Sequence, residues 1–253
     1  MEKLFKLARR HRVVAALLFV LQTSPAAAEV RAAVAANFLN CARELGTAFT
    51  QETGIPVSIR FAATGTLYAQ IHSGAPFDVF LAADQQRPAA AIAAGLAEPG
   101  SRITYAIGRL VLYSEALDVQ RGLSMFDDAG TRRLAIANPT TAPYGAAAVA
   151  VLKALGRLAS WREQLVRGNN LAQTFQFVAS GNAELGLVAS SQVVDVAADR
   201  WWTVPDHLHP ALIQDAVLLS AADNRDAGHR FLEFLSGEQG QEIIRAQGYD
   251  TPR

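Results

Sequence analysis

With 253 residues, 23 of them basic and 23 acidic, the chain is neutral overall and long enough for one large domain or two smaller lobes. That balance lacks the basic face a nucleic acid requires, and a single cysteine, Cys41, excludes an internal disulfide. Beyond residue 28 no apolar run is long enough to cross a bilayer.

The first 28 residues read as an export signal. Lys3, Lys6, Arg9, Arg10 and Arg12 form a positive stretch, residues 13–21 are continuously apolar, and Ser24-Pro25-Ala26-Ala27-Ala28 supplies the small residues of a cleavage site. Cleavage after Ala28 removes five bases and one acid, leaving 18 bases and 22 acids, a net charge near −4. An anion bound by such a chain must be held by local geometry and not by overall attraction.

From Val30 onward short apolar strands alternate with helical patterns. Residues 30–35 read as a strand. Phe38, Ala42, Leu45 and Phe49 then recur at helical spacing up to a stop near Gly54. A strand at 57–62, a helix around 67–72, a strand at 78–82 and an Ala-rich helix ending at Gly95 continue a β-α-β-α-β order, which implies a parallel sheet flanked by helices. Cys41 falls on the first helix and reads as a buried small hydrophobe.

Residues 105–114 (YAIGRLVLYS) form a long extended run, after which the alternation restarts. Strands are expected at 134–137, 164–167 and 185–189, with helices at 144–155 and 170–179. A second extended run, 215–221, precedes an amphipathic helical region over 226–247 that breaks near Gly237. Two α/β units joined by two extended runs predict two lobes with two crossovers, an architecture suited to closing on a ligand. The expected division is 29–107 for the first part of lobe 1, 108–216 for lobe 2, and 217–253 for the return to lobe 1.

Catalytic signatures are missing: the sequence has no G-x-S-x-G, H-E-x-x-H, C-x-x-C or Walker A motif. His207 and His209 have no second cluster to complete a metal site and read as a loop. Asp78 and Asp84 could form a carboxylate pair, but capping the next helix is a sufficient role for Asp84. Trp201 and Trp202 read as packing at a strand edge.

What recurs is a kind of junction. Asn37 follows VAA, Thr64 follows FAA, Pro143-Tyr144-Gly145 follows NPTTA, and Asn169-Asn170-Leu171 follows LVRG. Each opens a helix with small or uncharged residues and no adjacent lysine or arginine, apart from Arg167 two places before Asn169. First-turn N–H groups are unpaired and carry partial positive charge, so several helix starts converging on one point make an anion site without a cation. Gly65 and Gly145 are expected to let the anion approach the backbone. Taken singly, each junction reads first as an ordinary helix cap; four in one chain, two in each proposed lobe, add weight to the anion site.

The segments VAANF, FAATGTLYAQIHSGAPFDVFLAAD, RLAIANPTTAPYG and LGLVAS, in this order, resemble the periplasmic molybdate-binding proteins of ABC importers. The resemblance runs from about Val30 to Tyr249. It implies a two-lobed α/β periplasmic-binding-protein fold, each lobe a mostly parallel sheet flanked by helices, joined by two crossover hinge strands. It also implies a monomer in the periplasm that holds molybdate or tungstate in its cleft, with no cofactor and no catalysis, and delivers the ion to a membrane permease. Carried over by position, the oxyanion meets Asn37, the hydroxyl and N–H of Thr64, and the backbone N–H groups of Tyr144 and Leu171. The sequence departs from the family at Ala189, where many members carry a tyrosine whose hydroxyl reaches the anion. The Asn37 side-chain amide is the candidate for the missing donor. Sulfate or phosphate would suit the same cleft. An organic solute would call for an arginine or an aromatic wall, and an enzyme on this fold would need a nucleophile or an acid/base pair; neither stands at the four junctions.

Overall fold

The computed structural model describes residues 28–127 and 129–252, so the export signal expected at 1–28 lies outside the described residues up to position 27. Lobe 1 begins with β1 (Val30–Ala35), a short 3-10 turn at Ala36–Phe38, α1 (Leu39–Thr53), β2 (Val57–Ala62), α2 (Thr64–His72), β3 (Val79–Leu81), α3 (Gln86–Ala93) and β4 (Ile103–Gly108). Lobe 2 contains β5 (Leu110–Tyr113), β6 (Leu134–Ala137), α4 (Pro143–Ala154), the single-turn α5 (Leu158–Trp161), β7 (Leu165–Gly168), α6 (Leu171–Ala179), β8 (Leu185–Ala189) and β9 (Trp201–Thr203). The chain returns to lobe 1 with β10 (Leu212–Leu218), α7 (Arg225–Ser236) and α8 (Glu238–Ala246).

The two sheets share one plan. The first has strand order β2-β1-β3-β10-β4 and the second β7-β6-β8-β5-β9. In each, three strands from the alternating β-α units run parallel, and the last two add antiparallel neighbours. The inner parallel strands β1, β3, β6 and β8 are buried and nearly all apolar, as expected when helices cover both faces, while the edge strands β2 and β7 are partly exposed. On one face of the first sheet lie α1, α7 and α8, where Phe49 meets Phe231 and Phe234 edge-on at centroid distances of 5.2 and 5.6 Å. Leu67 and Ile71 of α2 and Ala91 of α3 cover the other face. Helix α1 stops where Gly54 turns left-handed at φ 74°, its N–H closing on the Thr50 carbonyl. Cys41 is buried in α1, and burial pushes its thiol well above the ordinary range, so it is an inert hydrophobe there.

The extended run 105–114 is one continuous stretch that changes sheets. β4 belongs to the first sheet, Arg109 pairs with neither, and β5 belongs to the second. This is the first crossover. The second lies earlier than expected: residues 204–211 link β9 to β10, and all of β10 pairs with β3 and β4. The boundary drawn at 216 therefore cuts through a lobe 1 strand, and the return begins by Leu212. Residues 215–221 are the end of that strand and the turn after it, not a hinge. Trp201 and Trp202 stand on edge strand β9, as packing residues at a strand edge should.

Candidate functional site

The four junctions meet. Asn37, Thr64, Tyr144 and Leu171 all line one small cavity between the lobes, of about 10 Å3. The rest of the wall is Ala35, Ala36, Ala63, Ala83, Ala142 and Pro143, so no charged side chain reaches it. Alanine β-carbons and backbone define its size.

Thr64 opens α2 directly after Ala63, and no side chain caps that helix. The hydroxyl of this buried residue accepts the Ala83 N–H at 3.1 Å, an arrangement that leaves its own hydrogen to be donated. The Thr64 N–H, in the first turn, has no intrahelical acceptor. Across the cleft, Pro143 occupies the first position of α4, so the first N–H that helix offers belongs to Tyr144. At α6 the Asn170 side chain caps the Gln173 N–H at 3.0 Å, while Gln173 accepts the Asn169 N–H at 2.6 Å. That reciprocal cap satisfies the third position of the helix and leaves the Leu171 N–H at its first.

Asn37 lies within the 3-10 turn ahead of α1, not at an α-helical first position. Its side chain is not the spare donor expected. The amide Nδ2 donates to Gln214 Oε1 at 2.8 Å and to the Tyr249 hydroxyl at 3.1 Å, which commits both its hydrogens. Its carbonyl accepts the hydroxyls of Tyr249 (2.7 Å) and Ser191 (3.1 Å). The Asn37 side chain thus fixes the floor of the cavity, and the backbone N–H is the group it can direct at a ligand. Ala189, where a tyrosine was absent, is fully buried, with its N–H bonded to Gln192 Oε1 at 3.2 Å.

The two glycines have a different role from the one expected. A β-carbon on Gly145 would lie 2.2 Å from the Ala137 carbonyl, so this glycine lets α4 pack on the end of β6. A β-carbon on Gly65 would meet the Thr141 backbone at 3.1–3.2 Å and Arg87 Nη2 at 3.3 Å. Gly65 therefore lets lobe 2 approach lobe 1, and its N–H donates to the Thr141 carbonyl at 2.8 Å.

Behind the cavity a buried polar cluster spans the lobes. Tyr105 donates to the Ala82 carbonyl at 3.0 Å and lies 3.2 Å from Gln214 Oε1, and Gln214 Nε2 reaches the Tyr144 hydroxyl at 3.5 Å. Burial raises the phenols of Tyr105, Tyr144 and Tyr249 well above their ordinary range, so they remain neutral and place no negative charge beside the cavity.

Sequence reading missed a cation beside the site. Arg87, in the first turn of α3, pairs with Asp84 and bonds the Thr140 carbonyl of lobe 2 at 3.2 Å. Asp84 does act as the cap expected, accepting the Arg87 N–H at 2.9 Å. Asp78 is fully buried and holds Arg31 through its N–H, Nε and Nη2 at 2.8–3.1 Å, so the two aspartates serve separate partners. His207 sits in an exposed turn, and no group of three or more metal-ligating side chains occurs among the described residues.

Residues 30–250 match the family described as bacterial extracellular solute-binding protein. The chain is 44% identical to the molybdate-binding protein ModA of Rhodobacter capsulatus, over 93% of this chain and 94% of that one. It is 42% identical to the molybdate-binding protein ModA of Azotobacter vinelandii, over 94% and 96%. The solved structure of the Azotobacter vinelandii periplasmic molybdate-binding protein is similar to it with a TM-score of 0.84 at 36% identity, covering 88% of this chain and 100% of that one. The fold, the interlobe cavity and these likenesses together place the chain in the family of bacterial extracellular solute-binding proteins.

Proposed function

We infer that this protein captures molybdate, and tungstate with it, in the interlobe cavity and delivers the ion to the membrane permease of an ABC importer. The observation that carries the reading is the convergence of three α-helix starts and the Asn37 3-10 turn, two junctions from each lobe, on one cavity without a charged side chain. Such a wall suits a small dianion that accepts hydrogen bonds from every side. The relatives named for molybdate cover nearly the whole chain, which selects molybdate among tetrahedral oxyanions.

In this reading Asn37, Thr64, Tyr144 and Leu171 supply backbone N–H donors, and Thr64 adds its hydroxyl. Each charge-assisted bond contributes about 1.5–3 kcal/mol. The open protein takes the anion at the helix ends of one lobe, and rotation about 109 and 204–211 brings the other lobe's donors into place. Neutral donors leave the complex anionic. No cofactor or covalent step is required, and the protein acts as a periplasmic monomer after export. Discrimination against sulfate rests on size, because a wall of backbone and alanine β-carbons cannot contract around a smaller ion.

Calorimetric titration of the unfolded, stripped and refolded protein tests this. One-to-one heat with molybdate and tungstate and none with sulfate is the expected result. Tight sulfate or phosphate binding would keep the cavity and overturn the ligand, and silence with every oxyanion would overturn both.

A further inference from the structure

We propose that Arg87, which does not line the anion cavity, is a positioning residue that latches the two lobes over it and sets how closely they can approach. The proposal rests on the cavity being the oxyanion site.

Two consecutive carbonyls of one lobe 2 loop accept from lobe 1. Thr140 accepts from Arg87 Nη2 at 3.2 Å and Thr141 from the Gly65 N–H at 2.8 Å. The loop presents them rigidly, because Asn138 gathers it from within: its side chain accepts the Thr140 N–H at 3.0 Å, and its carbonyl accepts the N–H groups of Thr141 (3.2 Å) and Ala142 (2.9 Å). Arg87 is held just as firmly. Asp84 bonds both its backbone N–H and its guanidinium Nη1, which aims Nη2 across the cleft. The Asp84 carboxylate also offsets the positive charge, so Arg87 acts through its directed donor and not as a counter-ion to the ligand.

The latch sits at the rim of the cavity. Gly65 follows the cavity residue Thr64, and Thr141 precedes the cavity residue Ala142. The Gly65–Thr141 approach leaves no room for a β-carbon without displacement, so the lobes are in tight contact there. A smaller anion cannot draw them nearer. Arg87 holds the lobes at that distance, and Gly65 limits it.

The experiment compares molybdate release and capture by stopped flow in the wild type, R87A and R87K. Release from R87A is expected to be at least tenfold faster, with capture within threefold and the ligand-free melting temperature unchanged. R87K, which keeps the charge without the planar fork, is expected to recover only part of the loss. Release within twofold of wild type in R87A overturns the latch, as does a loss of thermal stability that accounts for the whole effect. If the wild type takes up no molybdate, the proposed function fails, and small-angle scattering of the ligand-free proteins decides the latch. A larger radius of gyration in R87A supports it and equal radii overturn it.

Discussion

The hydroxyl of Tyr144 occupies the space that a β-carbon on Gly108 would need, 1.9 Å from it. Gly108 ends the last lobe 1 strand before the crossover at Arg109, and Tyr144 stands in the first turn of the lobe 2 helix that faces the cavity. The same β-carbon would lie 2.8 Å from Gln214 Nε2. One absent methyl group therefore lets the lobes interlock behind the site. Gly108→Ala is expected to force Tyr144 out of its place and move its backbone N–H off the cavity. Overpacking of this kind costs about 1–3 kcal/mol. Part should appear as weakened oxyanion binding, roughly tenfold by titration, and part as a lower melting temperature of the molybdate-loaded protein. Unchanged values for both would show that the Tyr144 contact does not govern closure.

Thr64→Val keeps shape and removes the hydroxyl. It deletes one donor to the anion and leaves the Ala83 N–H without its acceptor. Loss of one bond to a charged group, about 1.5–3 kcal/mol, corresponds to a dissociation constant raised roughly ten- to a hundredfold. Thr64→Ser, which retains the hydroxyl, should stay within a few-fold of wild type. Equal affinity of the valine and serine variants in calorimetry would remove Thr64 from the contact set.

Asp78 gives the fold a pH dependence of known sign. Burial on its own would raise its carboxyl, but the bonds from the Arg31 side chain and N–H outweigh burial and hold it below the usual range. A carboxylate depressed in the folded state stabilises the protein above its unfolded value, about 3.9, and that contribution is lost as the pH falls through the lower, folded value. Asp78→Asn leaves Arg31 paired with the exposed Asp223. It should cost about 3–5 kcal/mol in urea unfolding at pH 7. The gap to wild type should narrow in acid. A gap that stays constant down to pH 3 would mean that the ion pair is not its source.

These residues differ in how far the sequence announced them. Thr64 was legible because a strand ending in alanines runs straight into uncharged polar residues, and the physics of a helix start is local. Arg87 was not, since its acceptor Thr140 lies 53 positions away in the other lobe. The crossover was half legible. Residues 105–114 read as one strand because β4 and β5 are largely buried and apolar on either side of Arg109, so a change of sheet leaves no mark on the periodicity. β10 was begun too late because Gln214 and Asp215 interrupt its apolar run. Both are buried: Gln214 is bonded to Asn37, Tyr105 and Tyr144, and Asp215 to Arg102 and Thr104. Their partners come from distant segments, and only the folded chain explains why polar groups sit mid-strand. Asn37 shows the same limit, for its type suggested a donor and its neighbours had already taken both hydrogens.

Cavity size is open to a direct test at Ala142. Its backbone is extended, at φ −117° and ψ 121°, a conformation that valine adopts without strain. Its side chain lines the cavity, so the two added methyl groups must take up ligand space or press on the buried core behind it. If size selects the ion, Ala142→Val should weaken molybdate roughly a hundredfold or more, at a cost of about 1–3 kcal/mol to the ligand-free protein at most. Sulfate, being smaller, should lose less, and its affinity relative to molybdate should rise. Competition titrations of the two ions against wild type and variant measure that ratio. Were both ions weakened by the same factor, the methyl groups would be acting through the donors' geometry, and selection would have to reside in the directions of the N–H groups and not in the volume they enclose.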